Sequence, residues 1–415
     1  MNNLLKCKTV IIKVASRCNL NCTYCYMYNM GDGTYRNQPK TMSYEIVNDL
    51  LNRIQEHCHA HDLHEFMFIF HGGEPLLVKK EFYQYFITKA KQKFKNEGVH
   101  LRFVIQTNGV LIDESWCNLF NELNISVGIS IDGTKDDNDI YRIDHSGKGA
   151  YDKILKGLKI AQKNVANGIG TLSVVNIDAD PIKTYEHLKS LDVTSIDFLL
   201  PDSNYHSLPP LPKNKCKGEK YEEYYADWLI KVFDQWFHDK KNRPLIRMFR
   251  YILHMLFGGR ASLDSLGLEN NEALVIETDG SIEALDVLKI CGDGFTKDNA
   301  HVKTHSFDQA LSSDLAKLYN LAHNNLCDQC LACELVSVCG GGNLPHRYSS
   351  ESGFNNPSVY CKTLAKLIIH IQNELFNSLP PDLINSSGIQ KMDYDVFLKT
   401  FQKTRNTIKL ELENF

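Results

Sequence analysis

The chain has 415 residues, 43% of them hydrophobic and 23% charged, with 46 Lys+Arg against 50 Asp+Glu for a net charge of −4. That balance gives no cationic field for nucleic acid or an anionic membrane, and no apolar run approaches the ~20 residues that span a bilayer, so neither partner is expected. Lys6, Lys8 and Lys13 interrupt the first apolar stretch, which excludes a signal peptide and points to the cytoplasm, where 13 cysteines read as metal or redox ligands rather than disulfides.

From residue 9 to about 200, short runs rich in Val, Ile and Phe alternate with helical stretches. Strands are expected at 9–15, 65–70, 100–106, 125–131, 171–176 and 195–200. Helices are expected at 43–59, 79–97, 113–123, 150–168 and 182–190, with Ser43 and Asp113 as N-caps. Strict alternation implies an α/β fold with a parallel sheet. Six units are too few for a closed eight-stranded barrel, so the expectation is a partial (β/α)6 TIM-like barrel over 1–205. In such barrels the active site lies at the C-terminal ends of the strands. Those ends read Ser16-Arg17-Cys18, His71-Gly72-Gly73-Glu74-Pro75, Thr107-Asn108-Gly109, Ser130-Ile131-Asp132-Gly133, Asn176-Ile177-Asp178 and Pro201-Asp202-Ser203.

A Pro-rich connection leads into a helical segment, 206–272. Its first helix, 220–239, carries an apolar stripe of Tyr221, Tyr224, Tyr225, Trp228, Leu229, Val232, Phe233 and Trp236, read as core or interface. A hairpin around Asp279-Gly280 opens a third region, 273–365, which becomes rich in Cys and Gly from 327 to 361; a helical tail, 366–415, follows. The histidines at 57, 59, 61 and 64 with Cys58 are read as structural, because they close a surface helix. The isolated Cys7, Cys58, Cys117 and Cys216 are read as small buried hydrophobes.

Cys18, Cys22 and Cys25 leave three residues and then two between thiols. Three thiolates on one loop suit three corners of a cubane iron–sulfur cluster with one iron left open; a zinc site completed by a remote His is the alternative. The triplet, with Tyr24 inside it and Gly72-Gly73-Glu74-Pro75 after the second strand, resembles the radical S-adenosylmethionine (radical SAM) superfamily. The resemblance implies a [4Fe–4S] cluster whose open iron binds the methionine end of SAM and releases a 5′-deoxyadenosyl radical. It also implies that Gly73 and Glu74 meet the SAM ammonium. Ser130 and Asp132 would contact ribose and carboxylate, Arg142 would pair with the SAM carboxylate, and the turn 106–109, with Asn108, would lie on the SAM side.

Cys330, Cys333, Cys339 and Cys361 suit a fully ligated cluster or a structural zinc. Within the resemblance they look like the SPASM extension and its distal auxiliary [4Fe–4S] cluster. The pattern then departs: Asn343 and Leu285 stand where two further cysteines are expected, leaving Cys291 and Cys327 as candidate ligands of a second, incomplete cluster. These departures, with the runs 277–283, 286–289, 339–348 and 356–361, resemble FxsB-type peptide maturases and their cyclophane-forming members. The activity this implies is a carbon–carbon crosslink, from an aromatic ring carbon to a side-chain β-carbon, in a ribosomal precursor peptide, with Asp286 as base and a flavodoxin or ferredoxin as reductant. About eight residues precede the first strand, so leader recognition is expected in 219–270 or 362–415. Two rival readings are an anaerobic sulfatase-maturing enzyme that makes formylglycine, disfavoured by the missing cysteines and the run 340–343, and a non-catalytic zinc-stabilised peptide-binding protein.

Overall fold

The computed structural model describes residues 5–215, 221–261, 263–380, 382, 384 and 390–400. Cys216, the first residue of the helix expected at 220–239 and the tail beyond residue 400 lie outside the described residues. The chain divides into two compact units. One takes residues up to Asn176, Glu186–Asp202 and Glu272–Asn320; the other takes Ile177–Tyr185, Ser203–Asn271 and the chain from Leu321.

In chain order the elements begin β1 (Thr9–Ala15), α1 (Tyr44–His61), β2 (Glu65–Gly72), α2 (Lys80–Lys93), β3 (His100–Thr107), α3 (Glu114–Leu123) and β4 (Ile125–Ser130). They continue α4 (Lys135–Tyr141), α5 (Tyr151–Asn164), β5 (Ile169–Val174), α6 (Pro181–Ser190) and β6 (Ser195–Leu199). Strands β1 to β6 pair in sequence order, all parallel. The face of β1 that carries Val10, Ile12 and Val14 is fully buried. Phe68 of β2 lies opposite Phe103 of β3, their rings stacked at 5.1 Å, an aromatic pair that adds to burial. Ser43 caps α1 by accepting from Ile46 N–H, and Asp113 caps α3 by accepting from Trp116 N–H, as expected.

Two features depart from the sequence reading. Helix α4, capped by Thr134, was not expected; seven residues are too few to display a helical period. The hairpin at 273–290 is no separate element: after β7 (Leu245–Ile246), β8 (Ala273–Ile276) and β9 (Ile282–Glu283) form antiparallel partners. Strand β8 also pairs parallel with β1, placing Ile276 opposite Ile12. The unit's strand order is therefore β6-β5-β4-β3-β2-β1-β8-β9, and the segment after β9 lies beside the end of β1. Helices α9 (Phe307–Leu311) and α10 (Asp314–Asn320) complete this unit.

In the second unit, α7 (Tyr221–His238) buries Tyr225, Trp228, Leu229, Val232, Phe233 and Trp236, the expected core stripe. It runs against α13 (Cys361–Ser378), joined by Thr363 Oγ1–H to Glu222 C=O at 2.8 Å and by Lys366 to Asp227 at 2.6 Å. Helices α8 (Arg247–Leu256), α11 (Asp328–Leu331) and α12 (Val336–Cys339) bring the cysteine-rich segment into this unit. Among the described residues no helix is long and apolar enough to cross a membrane.

Candidate active site

At the carboxyl end of β1 the chain leaves the sheet as a loop bearing Cys18, Cys22 and Cys25. The loop is pinned by backbone bonds from Asn21 N–H to Ile143 C=O (2.8 Å) and Thr23 N–H to Tyr141 C=O (3.0 Å). None of the three cysteines is in a disulfide. Burial pushes the thiol of Cys18 up to about 12 and that of Cys25 up to about 11, so thiolates here need a bound cation. Leu20 N–H points at Cys18 Sγ at 3.4 Å and Asn108 Nδ2–H at 3.7 Å. Donors aimed at sulfur suit a ligating thiolate, so these residues fit an iron–sulfur cluster.

The loop after β2 packs against this one. Gly73 N–H donates to Ala15 C=O at 2.8 Å and Glu74 N–H to Arg17 C=O at 2.9 Å. A Cβ on Gly73 would stand 2.1 Å from Tyr28 Oη, and one on Gly72 2.4 Å from the Ala15 carbonyl oxygen, which is why glycines occupy both positions. The Glu74 carboxylate is buried. It accepts from Thr107 Oγ1–H (2.6 Å), Asn108 N–H (2.8 Å) and Leu76 N–H (2.9 Å), tying the second strand's loop to the third's. Burial lifts its pKa to about 7 despite those bonds.

On the fourth strand's loop, Asp132 is buried and accepts Arg142 Nε–H at 2.9 Å; the Tyr24 hydroxyl meets the same Oδ2, while Oδ1 takes Val174 N–H at 2.9 Å. The guanidinium lies over the Tyr24 ring, 5.6 Å from its centre, and one terminal nitrogen comes within 4.0 Å of Cys22 Sγ. Arg142 thus spends Nε on Asp132 and keeps its terminal nitrogens toward the cysteine loop. Ser130 Oγ accepts from Gln106 Nε2–H at 2.9 Å. All the expected SAM-side residues therefore meet at one end of the sheet.

Sequence reasoning missed what surrounds Asp286. Lys13 of β1, fully buried, pairs with the Asp286 carboxylate and donates to His71 Nδ1 (2.9 Å) and Tyr26 Oη (3.2 Å); Tyr26 in turn donates to Asp286 Oδ2 at 2.6 Å. The Lys13 ammonium holds Asp286 well below the usual carboxylate range even though it is buried. The available signal was a lone cation inside the apolar run of β1. Beside it, buried Lys289 bonds Glu283 (2.8 Å) and Glu277 (3.1 Å), and Lys297 reaches Glu283 at 2.7 Å. This charged set flanks Leu285, where the resemblance expects a cysteine.

In the second unit Cys327 opens α11, Cys330 lies within it, Cys333 follows it, Cys339 closes α12 and Cys361 opens α13. Gly340, Gly341 and Gly342 are all left-handed (φ +59, +79 and +71), and a Cβ on Gly340 would lie 1.8 Å from the Gly267 carbonyl oxygen. Arg347 is fully buried. Its terminal nitrogens reach the carbonyls of Ala322 (2.9 Å) and Asn325 (3.3 Å), and its Nε has no partner. Burial disfavours its charge, and thiolates at Cys330, Cys327 and Cys339 would favour it. A buried cation facing thiols with an orphaned donor fits a ligated, anionic cluster. Cys291 belongs to the first unit and Cys327 to the second.

His57 and His61 converge on Asp308 at 2.9 and 2.7 Å, but His57 Nε2 accepts the Cys7 N–H at 3.0 Å. His61 Nε2 is hydrogen-bonded to Asp308 Oδ1, but the buried His57 Nδ1 has no hydrogen-bond partner, so the ligand atoms of this trio converge as those of a metal site would, which the structural reading of these histidines did not foresee.

Residues 12–192 match the model of the Radical SAM superfamily. The chain is 28% identical over 374 residues to a cysteine-type anaerobic sulfatase-maturating enzyme of Clostridium novyi, covering 86% of this chain and 94% of that one. It is 26% identical over 414 residues to a serine-type enzyme of Bacteroides thetaiotaomicron, covering 93% and 97%. Among solved structures, native anSMEcpe with bound AdoMet superposes with a TM-score of 0.73 at 25% identity, covering 89% of this chain and 98% of that one. The structure of SuiB bound to precursor peptide SuiA shares the fold at 16% identity, with a TM-score of 0.54 over 86% of this chain and 76% of that one. These likenesses correct the expectation of a cyclophane-forming crosslinker: relatives matching nearly the whole chain are sulfatase-maturating enzymes. The physical reason is that Leu285 and Asn343 bear on how many clusters the chain ligates, whereas the bond made depends on how a peptide is presented.

Proposed function

We propose, for a chain whose residues 12–192 match the Radical SAM superfamily model, the oxidation of a Cys or Ser side chain in a peptide at its β-carbon, the reaction type of the anaerobic sulfatase maturases. The observation that carries this reading is likeness over 86% to 93% of the chain to enzymes of that name. In it, Cys18, Cys22 and Cys25 hold a [4Fe–4S] cluster with an open iron. Tyr24, Gly72, Gly73, Glu74, Asn108, Ser130, Asp132 and Arg142 form the SAM site, and Cys330, Cys333, Cys339 and Cys361 hold one auxiliary [4Fe–4S] cluster.

When bound, the first cluster and SAM supply a carbon radical that takes hydrogen atoms from unactivated C–H bonds. The protein's part is orientation and proton handling. Turning CH2–XH into CH=X removes two hydrogens, one as an atom from carbon and the other as a proton and an electron. The acceptor for the electron is the auxiliary cluster that Cys330, Cys333, Cys339 and Cys361 would hold; for Cys, water then replaces the sulfur of CH=S, giving the aldehyde and hydrogen sulfide. Asp286, held as a carboxylate by Lys13, is the acceptor for the proton. Arg142, anchored by Asp132, offers its terminal nitrogens to the SAM carboxylate. Glu74, whose pKa burial lifts to about 7, gives up its proton and becomes the counter-ion when an ammonium arrives.

The test is anaerobic incubation of the cluster-reconstituted enzyme with SAM, reductant and either a Cys or a Ser form of a sulfatase active-site peptide. The expected product is a peptide aldehyde, captured by a hydrazide tag, in step with 5′-deoxyadenosine. SAM cleavage with no aldehyde from either peptide would overturn the reading.

A further inference from the structure

The buried group around Asp286 contains more than a base needs. Its charged and titratable members come from separate elements: Lys13 from β1, His71 from β2, Tyr26 from the cysteine loop and Asp286 from the turn after β9. Cys25 and Glu277 also feel the Lys13 charge, and Asp202 feels Tyr26. An ammonium has three hydrogens, and Lys13 has three acceptors: the Asp286 carboxylate, Tyr26 Oη at 3.2 Å and His71 Nδ1 at 2.9 Å. His71 accepts at Nδ1, so its ring is neutral; burial and the Lys13 charge push its pKa down to about 3. Both Lys13 and Tyr26 engage Oδ2 of Asp286. Among the described residues no hydrogen-bond donor reaches Oδ1.

We propose that Lys13 is the positioning residue for Asp286: its fully occupied ammonium keeps the carboxylate ionised and turned so that Oδ1 is the oxygen left to take the substrate proton. Tyr26 fixes the rotation about the carboxylate, and His71 fixes the ammonium. The inference rests on the peptide-oxidation reading and adds to it how the base is held ready.

The experiment compares the reconstituted full-length enzyme with its Lys13→Met, Lys13→Arg and Lys13→Met/Asp286→Asn variants. One arm follows aldehyde formation against pH. Removing the ammonium leaves Asp286 buried without a cation, so its proton is held more tightly. The acid limb of the Lys13→Met profile is expected to move up by more than about one pH unit, with a loss of about tenfold or more at neutral pH; Lys13→Arg is expected to restore the wild-type limb. An unmoved limb in Lys13→Met would overturn the proposal, because a residue that only fills space alters rate without altering that limb.

A second arm needs no reaction. Thermal unfolding is followed between about pH 5 and 8. With its ion pair intact, Asp286 titrates below this window, so acidification brings the wild type no stability through this group. In Lys13→Met the buried carboxylate takes up a proton as pH falls, so the variant should be weakest at high pH and gain stability on acidification; the double variant should recover most of the loss. Equal pH slopes for wild type and Lys13→Met would overturn the proposal even if no peptide is oxidised. Absence of aldehyde from the wild type alone would count against the function and leave this arm to decide the pair.

Discussion

Arg142 Nε donates to Asp132 Oδ2 at 2.9 Å, and the hydroxyl of Tyr24, from the middle of the cysteine loop, meets that same oxygen. One carboxylate thus locks the loop after β4 to the loop after β1. Asp132 and Arg142 are both buried, so breaking the pair strands a charge. Asp132→Ala is expected to cost about 3–5 kcal/mol in chemical denaturation. Arg142→Lys keeps the charge but loses the planar fork, and is expected to weaken SAM binding about tenfold by calorimetry with little change in fold. An equally small effect of both variants on stability and SAM affinity would contradict this arrangement.

The loop after β2 makes a steric prediction. Gly73→Ala places a methyl 2.1 Å from Tyr28 Oη and 2.2 Å from the Arg17 carbonyl oxygen, and the second of these is backbone that cannot swing away. The cost is expected to be about 3 kcal/mol, and iron retention after anaerobic desalting should fall, because the loop that yields carries Cys18. Gly98→Ala is the control. Unlike Gly73 it has a positive φ, +68°, but nothing lies within 4 Å of its added Cβ, so it should cost about 1 kcal/mol for the backbone alone and leave the iron content unchanged.

Glu74 gives a pH prediction. Its folded pKa, about 7, lies above the ordinary 4.5 because burial penalises the charge. A group shifted upward contributes stability that is complete below its unfolded pKa and is lost as pH rises through the folded one. Unfolding free energy is therefore expected to fall between about pH 4.5 and 7 by up to about 1.4 kcal/mol per unit from this residue. Glu74→Gln should flatten that slope. SAM, bringing an ammonium, should release a proton on binding near pH 6, detectable as a buffer-dependent binding enthalpy. A slope identical in Glu74→Gln would show that another group titrates there.

The fold was largely legible because parallel sheets demand long apolar runs at regular intervals: all six strands from Thr9–Ala15 to Ser195–Leu199 lie where those runs were read. The cysteine loop and the Gly-Gly-Glu-Pro turn were legible because chemistry forces particular residue types there. Pairing in space was not legible. Nothing in a local window says that Ala273–Ile276 lies alongside β1, and that pairing delivers Asp286 to Lys13. Lys13 itself was noticed only as an interruption of an apolar stretch, since a charge in a strand reads as a solvent-facing residue until its neighbours are known. Arg347 was hidden for the same reason: its burial and its bonds to the Ala322 and Asn325 carbonyls depend on segments 22 to 25 residues away in the chain. The reaction was misread because the residues that differ from the seven-cysteine pattern change cluster ligation, not the substrate bond.

Arg347 supplies the last prediction. Its guanidinium is fully buried, bonded to the carbonyls of Ala322 and Asn325, and carries an unpartnered Nε amid Cys327, Cys330 and Cys339. Two carbonyls do not neutralise a cation, and in the proposed auxiliary cluster four thiolates around an iron–sulfur core would supply the balancing charge. Arg347→Met removes the counter-charge and keeps much of the volume. The expected result is loss of about four irons per chain, while the iron held by Cys18, Cys22 and Cys25, and with it reductive SAM cleavage, persists. Cys330→Ala should give the same iron deficit, and combining it with Arg347→Met should add little to that deficit, because the two changes act on one cluster. If Arg347→Met instead lowered the melting temperature with the full iron count retained, the guanidinium would be a packing element bonded to carbonyls, and the charge argument for a ligated cluster in this unit would fail.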